Sequence, residues 1–173
     1  MNNKVDAVIE IPLNSRNKFE IDEKTKKIKL DRVLYSAMSY PAEYGFIDNT
    51  LSDDGDPLDI LVITNSPTFP GCIVPARILG YLKVIDNGYD DYKLISVVDV
   101  DPRFREIESL KDLSKFRLEE IKNFFENYKK LQNIKVVVED YHGKEEAMEL
   151  LKYCREKYKN KGEKKWNRFV FQQ

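Results

Sequence analysis

Asp53-Asp54-Gly55-Asp56-Pro57-Leu58-Asp59-Ile60-Leu61-Val62-Ile63 joins a strongly acidic turn to the most apolar run of the chain. Gly55 permits dihedrals closed to other residues and Pro57 fixes its own φ, so residues 53–57 read as a turn. The run after it reads as a strand apolar on both faces, with Asp59 at its mouth. Two carboxylates about 4 Å apart repel by roughly 1 kcal/mol in water and roughly 4 kcal/mol at an effective dielectric of 20. Four in seven residues therefore call for counter-charge if they meet. An all-oxygen set of this kind suits a hard cation, Mg²⁺ above all. The same composition also makes ordinary solvated turns. An EF-hand is excluded: with Gly55 sixth, the loop would start at Thr50 and end at Leu61. Asp59 argues against a mere connector, because a charge heading an apolar strand, with no Lys or Arg nearby in sequence, needs a partner.

Outward from this stretch, short strands dominate. Val5, Ala7, Ile9 and Ile11 alternate towards Pro12, with Val8 and Glu10 on the other face. A strand at Phe19–Asp22, a charged hairpin tip over residues 23–27 and a strand at Ile28–Leu34 follow. Residues 35–50, with Tyr40-Pro41 and Tyr44-Gly45, read as irregular backbone around one short strand. Ile73–Ile85 and Tyr92–Val98 flank Asp86-Asn87-Gly88-Tyr89-Asp90-Asp91, where Asn-Gly is a strong hairpin signal. Many short strands joined by turns point to a barrel or a sandwich. After Pro102, Leu113, Phe116, Ile121, Phe124 and Tyr128 recur at helical spacing behind a candidate N-cap, Ser114. A strand at Ile134–Val138 and a helix over Gly143–Lys159 complete one domain (residues 1–160). Residues 161–173 form a basic tail with Trp166, Phe169 and Phe171.

Composition narrows the function. The 173 residues suffice for one full core. Lys+Arg number 29 and Asp+Glu 30, a net charge of −1, so no general attraction to nucleic acid or an anionic membrane is expected and any polyanion site is local. Cys72 and Cys154 form no CxxC and fit a reducing, cytoplasmic setting. No membrane span or signal core is legible. The one histidine, His142, excludes His-rich zinc sites and reads as a loop residue.

Several segments resemble a known family. Ile9-Glu10-Ile11-Pro12, Lys18-Phe19-Glu20-Ile21-Asp22, Asp31-Arg32, Tyr40-Pro41-Ala42-Glu43-Tyr44-Gly45 and Asp54-Gly55-Asp56-Pro57-Leu58-Asp59 occur in that order. With Asp86, Asp91, Lys93 and Phe124-Phe125-Glu126-Asn127-Tyr128-Lys129, they resemble the soluble family I inorganic pyrophosphatases, from about Val5 to Leu151. The resemblance implies an α+β fold, an OB-like five-stranded β-barrel with flanking helices. It implies Mg²⁺-dependent hydrolysis of diphosphate to two orthophosphates by an activated water, with no covalent intermediate. Several Mg²⁺ ions are implied, held by Asp54, Asp59, Asp86, Asp91 and Glu20, with Asp56 as general base. Lys18, Arg32, Tyr44, Lys93, Tyr128 and Lys129 would bind the phosphates, and Glu10 and Tyr40 would support them. A cytoplasmic homohexamer of the prokaryotic branch is implied as well. The chain departs from the family pattern at Glu43, at Val97-Val98 and at Asp140-Tyr141, none of which is among these residues.

Two rivals carry different observables. A barrel binding single-stranded nucleic acid would use aromatic side chains and a basic groove, and would bind in a salt-dependent way without Mg²⁺. The acidic turns oppose it. A hydrolase of nucleotides or polyphosphate would separate from the leading reading in a substrate panel.

Overall fold

A computed structural model describes residues 3–22 and 24–170, with side chains up to residue 161. Strand β1 (Lys4–Ile11) is followed by the hairpin β2 (Asn17–Ile21) and β3 (Ile28–Val33). Then come β4 (Glu43–Ile47), β5 (Leu58–Ile63), β6 (Ile73–Asp86) and β7 (Tyr89–Val98). Helix α1 (Lys115–Asn127), β8 (Val136–His142) and helix α2 (Lys144–Val170) end the order.

The strands close on themselves. The C-terminal half of β1 pairs with β4, β4 with β5, β5 with β7 and β7 with β6, and β6 returns to the N-terminal half of β1. This is the five-stranded barrel the resemblance implied, with β8 added to the outside of β6. Closure removes the free edges that a sheet of these apolar strands would expose. Ile9, Ile11, Ile60, Val62, Ile78 and Leu94 are buried in its core. One pairing, β5 with β7, is parallel, and it sets Asp59 opposite Lys93.

Close approach decides one glycine. Gly45 of β4 lies opposite Ile9, and a Cβ there would come within 1.9 Å of the Val8 carbonyl oxygen. The backbone cannot yield without parting β1 from β4. Gly45→Ala is expected to cost about 3 kcal/mol, the upper range for overpacking, read as a lower midpoint in a urea titration.

Several expectations change. The turn between β6 and β7 is only two residues, Asn87 (φ 51°) and Gly88 (φ 83°), so Tyr89–Asp91 belong to β7. Neighbours then point to opposite sides, with Asp91 facing Lys93 and Asp90 near Lys83 outside. Phe116 is 74% exposed rather than core. It stands five residues before Ile121, well off the face that buries Ile121, Phe124 and Phe125. His142 ends β8, stacked on Tyr81 with centroids 4.5 Å apart, instead of lying in a loop.

Ser114 caps α1 as read, accepting from the Arg117 N–H at 3.1 Å. Ala147, Leu151 and Cys154 bury one face of α2, and both cysteines are free thiols. Helix α2 continues past Lys159. The aromatic side chains expected of the tail lie outside the described residues. Glu43 is fully buried and accepts from the Thr68 N–H (2.8 Å), the Thr68 hydroxyl (2.6 Å) and the Leu13 N–H (3.1 Å). It ties the loops after β1 and β5 together.

Candidate active site

The parallel register of β5 and β7 builds the floor of the site. Lys93 Nζ lies 2.5 Å from Asp59 Oδ2 and 2.7 Å from Asp91 Oδ2, and it donates to Tyr44 Oη at 2.9 Å. Tyr44 in turn donates to Asp59 Oδ2 at 2.6 Å. Burial pulls the Lys93 ammonium down, but the charge of Asp59 leads the groups that outweigh it and hold it well above the lysine range. Burial first, then the like charge of Asp59, push the Asp91 carboxyl up against the pull of Lys93. One ammonium thus faces more negative charge than it neutralises.

Above this floor stands the acidic turn. Its base is fixed by Thr50, whose hydroxyl donates to the Ile47 carbonyl (2.6 Å) and accepts the Leu58 N–H (2.8 Å). The turn closes on itself through Ser52 N–H to the Asp56 carbonyl at 2.8 Å and Asp56 N–H to Asp54 Oδ1 at 3.1 Å. Gly55 takes the positive φ (98°) that this path requires. Asp54 and Asp56 are consequently exposed, at the rim, over Asp59.

The far wall comes from distant segments. Asp86 at the end of β6 pairs with Lys129, just past α1. Asp86 Oδ1 is buried with no hydrogen-bond partner. Tyr128 stacks on Phe124 with centroids 5.0 Å apart, and burial raises its hydroxyl pKa. The β2–β3 hairpin supplies the third side. There Lys18 pairs with Glu20 and approaches Asp31 at 3.4 Å, while Arg32 Nε donates to Asp31 Oδ2 at 2.7 Å. The Arg32 bond, more than any other cause, holds the Asp31 carboxyl below its usual range.

These walls enclose a cavity of about 480 Å³. Asp54, Asp56, Asp59, Asp86, Asp91, Glu10 and Glu20 line it, together with Lys18, Arg32, Lys93, Lys129, Tyr44 and Tyr128. A family model described as inorganic pyrophosphatase matches residues 7–159. The chain belongs to the inorganic pyrophosphatase family. It is 52% identical to the inorganic pyrophosphatase of Geobacillus stearothermophilus over 157 residues, 91% of this chain and 95% of that one. The Halalkalibacterium halodurans pyrophosphatase is likewise 52% identical, over 90% of this chain and 95% of its own. Among solved structures, the Thermus thermophilus inorganic pyrophosphatase superposes with a TM-score of 0.88 at 41% identity, covering 91% and 92% of the two chains. The chain is thus a hydrolase of the pyrophosphatase kind, and its barrel is the one those structures have.

In this pyrophosphatase, Tyr40 alone of the expected site residues does not line the cavity. It lies one layer below, buried against Tyr44 (5.3 Å) and Phe124 (4.8 Å). Sequence reading gave no role to Asp31, which receives both Lys18 and Arg32, or to Gln132, which lines the cavity beyond Lys129. The Asp31-Arg32 pair was the available signal for the first; Gln132 had none.

The donor set fits a hard cation. It is all oxygen, it carries surplus negative charge around Lys93, and one of its buried oxygens, Asp86 Oδ1, is orphaned. Among the described residues no three acidic groups stand close enough to surround an ion without rearrangement. At the floor Lys93 takes the place between Asp59 and Asp91.

Glu10 reaches the cavity through a bulge in β1: Ile9 pairs with Gly45 and Ile11 with Tyr44, leaving Glu10 as the extra residue. Its Oε1 accepts the Ile21 N–H at 2.7 Å. Burial pushes its carboxyl up to about 7. The unfolded chain ionises Glu10 near the ordinary glutamate value of 4.5, whereas the folded chain keeps the proton until about 7. The folded state therefore binds more protons between those values, and stability falls as pH rises through that window. In chelator-treated protein the fall from this group is about 3 kcal/mol. Glu10→Gln should flatten it, as measured by urea titrations across the pH range.

Proposed function

We propose that this pyrophosphatase hydrolyses inorganic diphosphate to two orthophosphates in a Mg²⁺-dependent reaction. The gathering of five aspartates and four cationic side chains around one cavity is the observation that supports it. Asp54, Asp59, Asp91 and Asp86, with Glu20 at the hairpin, would hold the ions. When bound there, Mg²⁺ would offset carboxylate and phosphate charge and lower the pKa of a water toward about 7.

The side chains supply the remainder. Lys18, Arg32, Lys93 and Lys129 neutralise the phosphate oxygens, Arg32 able to offer two N–H bonds at once and the lysines point charges. Tyr44 and Tyr128 add hydroxyl donors without adding charge. Asp56 takes the proton of the attacking water as its oxygen bonds to one phosphorus. The bridging P–O bond breaks, and the second phosphate leaves with the bridging oxygen. Transfer through a loose transition state is mainly a matter of position and electrostatics, which these groups provide. No phosphoenzyme is required.

The reading extends to a single catalytic domain over residues 1–160 with a tail at 161–173, working in the cytoplasm as a homohexamer. No helix among the described residues is long and apolar enough to cross a membrane. A panel of diphosphate, triphosphate and nucleotides, each with Mg²⁺, Mn²⁺, Ca²⁺ or chelator, tests the proposal. Phosphate release from diphosphate with Mg²⁺, abolished by chelator, is expected. Preference for a nucleotide, or release unaffected by chelator, would overturn it.

A further inference from the structure

Helix α2 touches the acidic turn from the side away from the cavity. Tyr153 Oη donates to Asp53 Oδ1 at 2.9 Å, and Lys157 Nζ pairs with the same oxygen. Lys157 also donates to the Ser52 carbonyl at 3.2 Å, the oxygen that accepts the Gly55 N–H inside the turn. Just below, the Leu51 N–H donates to the Cys154 carbonyl at 3.0 Å. The turn itself is exposed from Asp53 to Asp56, and a Cβ on Gly55 would meet nothing within 4 Å. Its tip is thus open, and the helix grips it by its first acidic residue.

We propose that Tyr153 and Lys157 are positioning residues, which act through Asp53 to hold Asp54 and Asp56 over the cavity. The proposal rests on the metal-binding reading above. An exposed ion pair contributes little to global stability, so its effect is expected in the site and not in the melt. The two explanations of a Lys157 variant differ in sign. Removing a positive charge beside an acidic site tightens cation binding if electrostatics alone is at work. Releasing the turn weakens it, because carboxylates that must be ordered on binding hold the ion less well.

Calorimetric titration of full-length protein with Mn²⁺ decides between them. Tyr153→Phe/Lys157→Met is expected to raise the Kd about tenfold, as loss of groups that orient metal ligands does. Lys157→Arg should restore most of the affinity, with the melting temperature nearly constant throughout. In steady-state assays kcat should fall while KM for diphosphate holds, since the phosphate-facing cations are elsewhere. Unchanged or tighter Mn²⁺ binding in the double variant would overturn the proposal. A wild-type protein that binds no Mn²⁺ would instead overturn the metal-binding reading, and this proposal with it.

Discussion

Lys93→Met should cost the chelator-treated protein about 3–5 kcal/mol of stability, the range for breaking a buried ion pair from one side. Lys93 is 4% exposed, and its ammonium stands between Asp59 and Asp91. Methionine keeps most of the volume and removes the charge, leaving two carboxylates facing each other beside Tyr44. Added Mg²⁺ should recover a large part of the loss, because a cation can take over the counter-charge. Urea titrations of wild type and variant, each with Mg²⁺ and with chelator, measure both quantities. A loss of equal size in both conditions would reduce Lys93 to packing. Activity should collapse in either case, since the group proposed to meet phosphate at the cavity floor is gone.

Asp56→Asn should lower kcat by about 10²–10⁴-fold, the contribution of a positioned general base. Asp56 is exposed on the turn, so the melting temperature should barely move. Mn²⁺ affinity should change less than in Asp59→Asn, whose side chain also bonds Tyr44 and Lys93. Stopped-flow phosphate release at saturating Mg²⁺ reads the effect. Near-wild-type turnover would remove Asp56 from the role of base.

Much of this was legible in the chain. Alternation through Val5, Ala7, Ile9 and Ile11, and the Asn87-Gly88 turn, are local signals that the backbone obeys. The acidic turn was readable because Gly and Pro act on their own residues. Long-range pairings carried no such mark. Asp86 and Lys129 meet across 43 positions, and Asp53 and Lys157 across 104. Only the resemblance brought the first pair into one site, and nothing announced the second. The bulge that turns Glu10 toward the cavity depends on how β1 is shared between β4 and β6, a property of closure that alternation cannot encode. Phe116 was misplaced because its gap of five residues to Ile121 was read as helical spacing, which only three or four residues satisfy.

Whether these separated acids converge on ions can be read from the anomalous scattering of crystals grown with Mn²⁺. Peaks within the cavity, bound by Asp59 together with Asp54 and Asp91, are predicted. A cavity without Mn²⁺ peaks at saturating metal, with Asp59 and Asp91 still closed on Lys93, would contradict it.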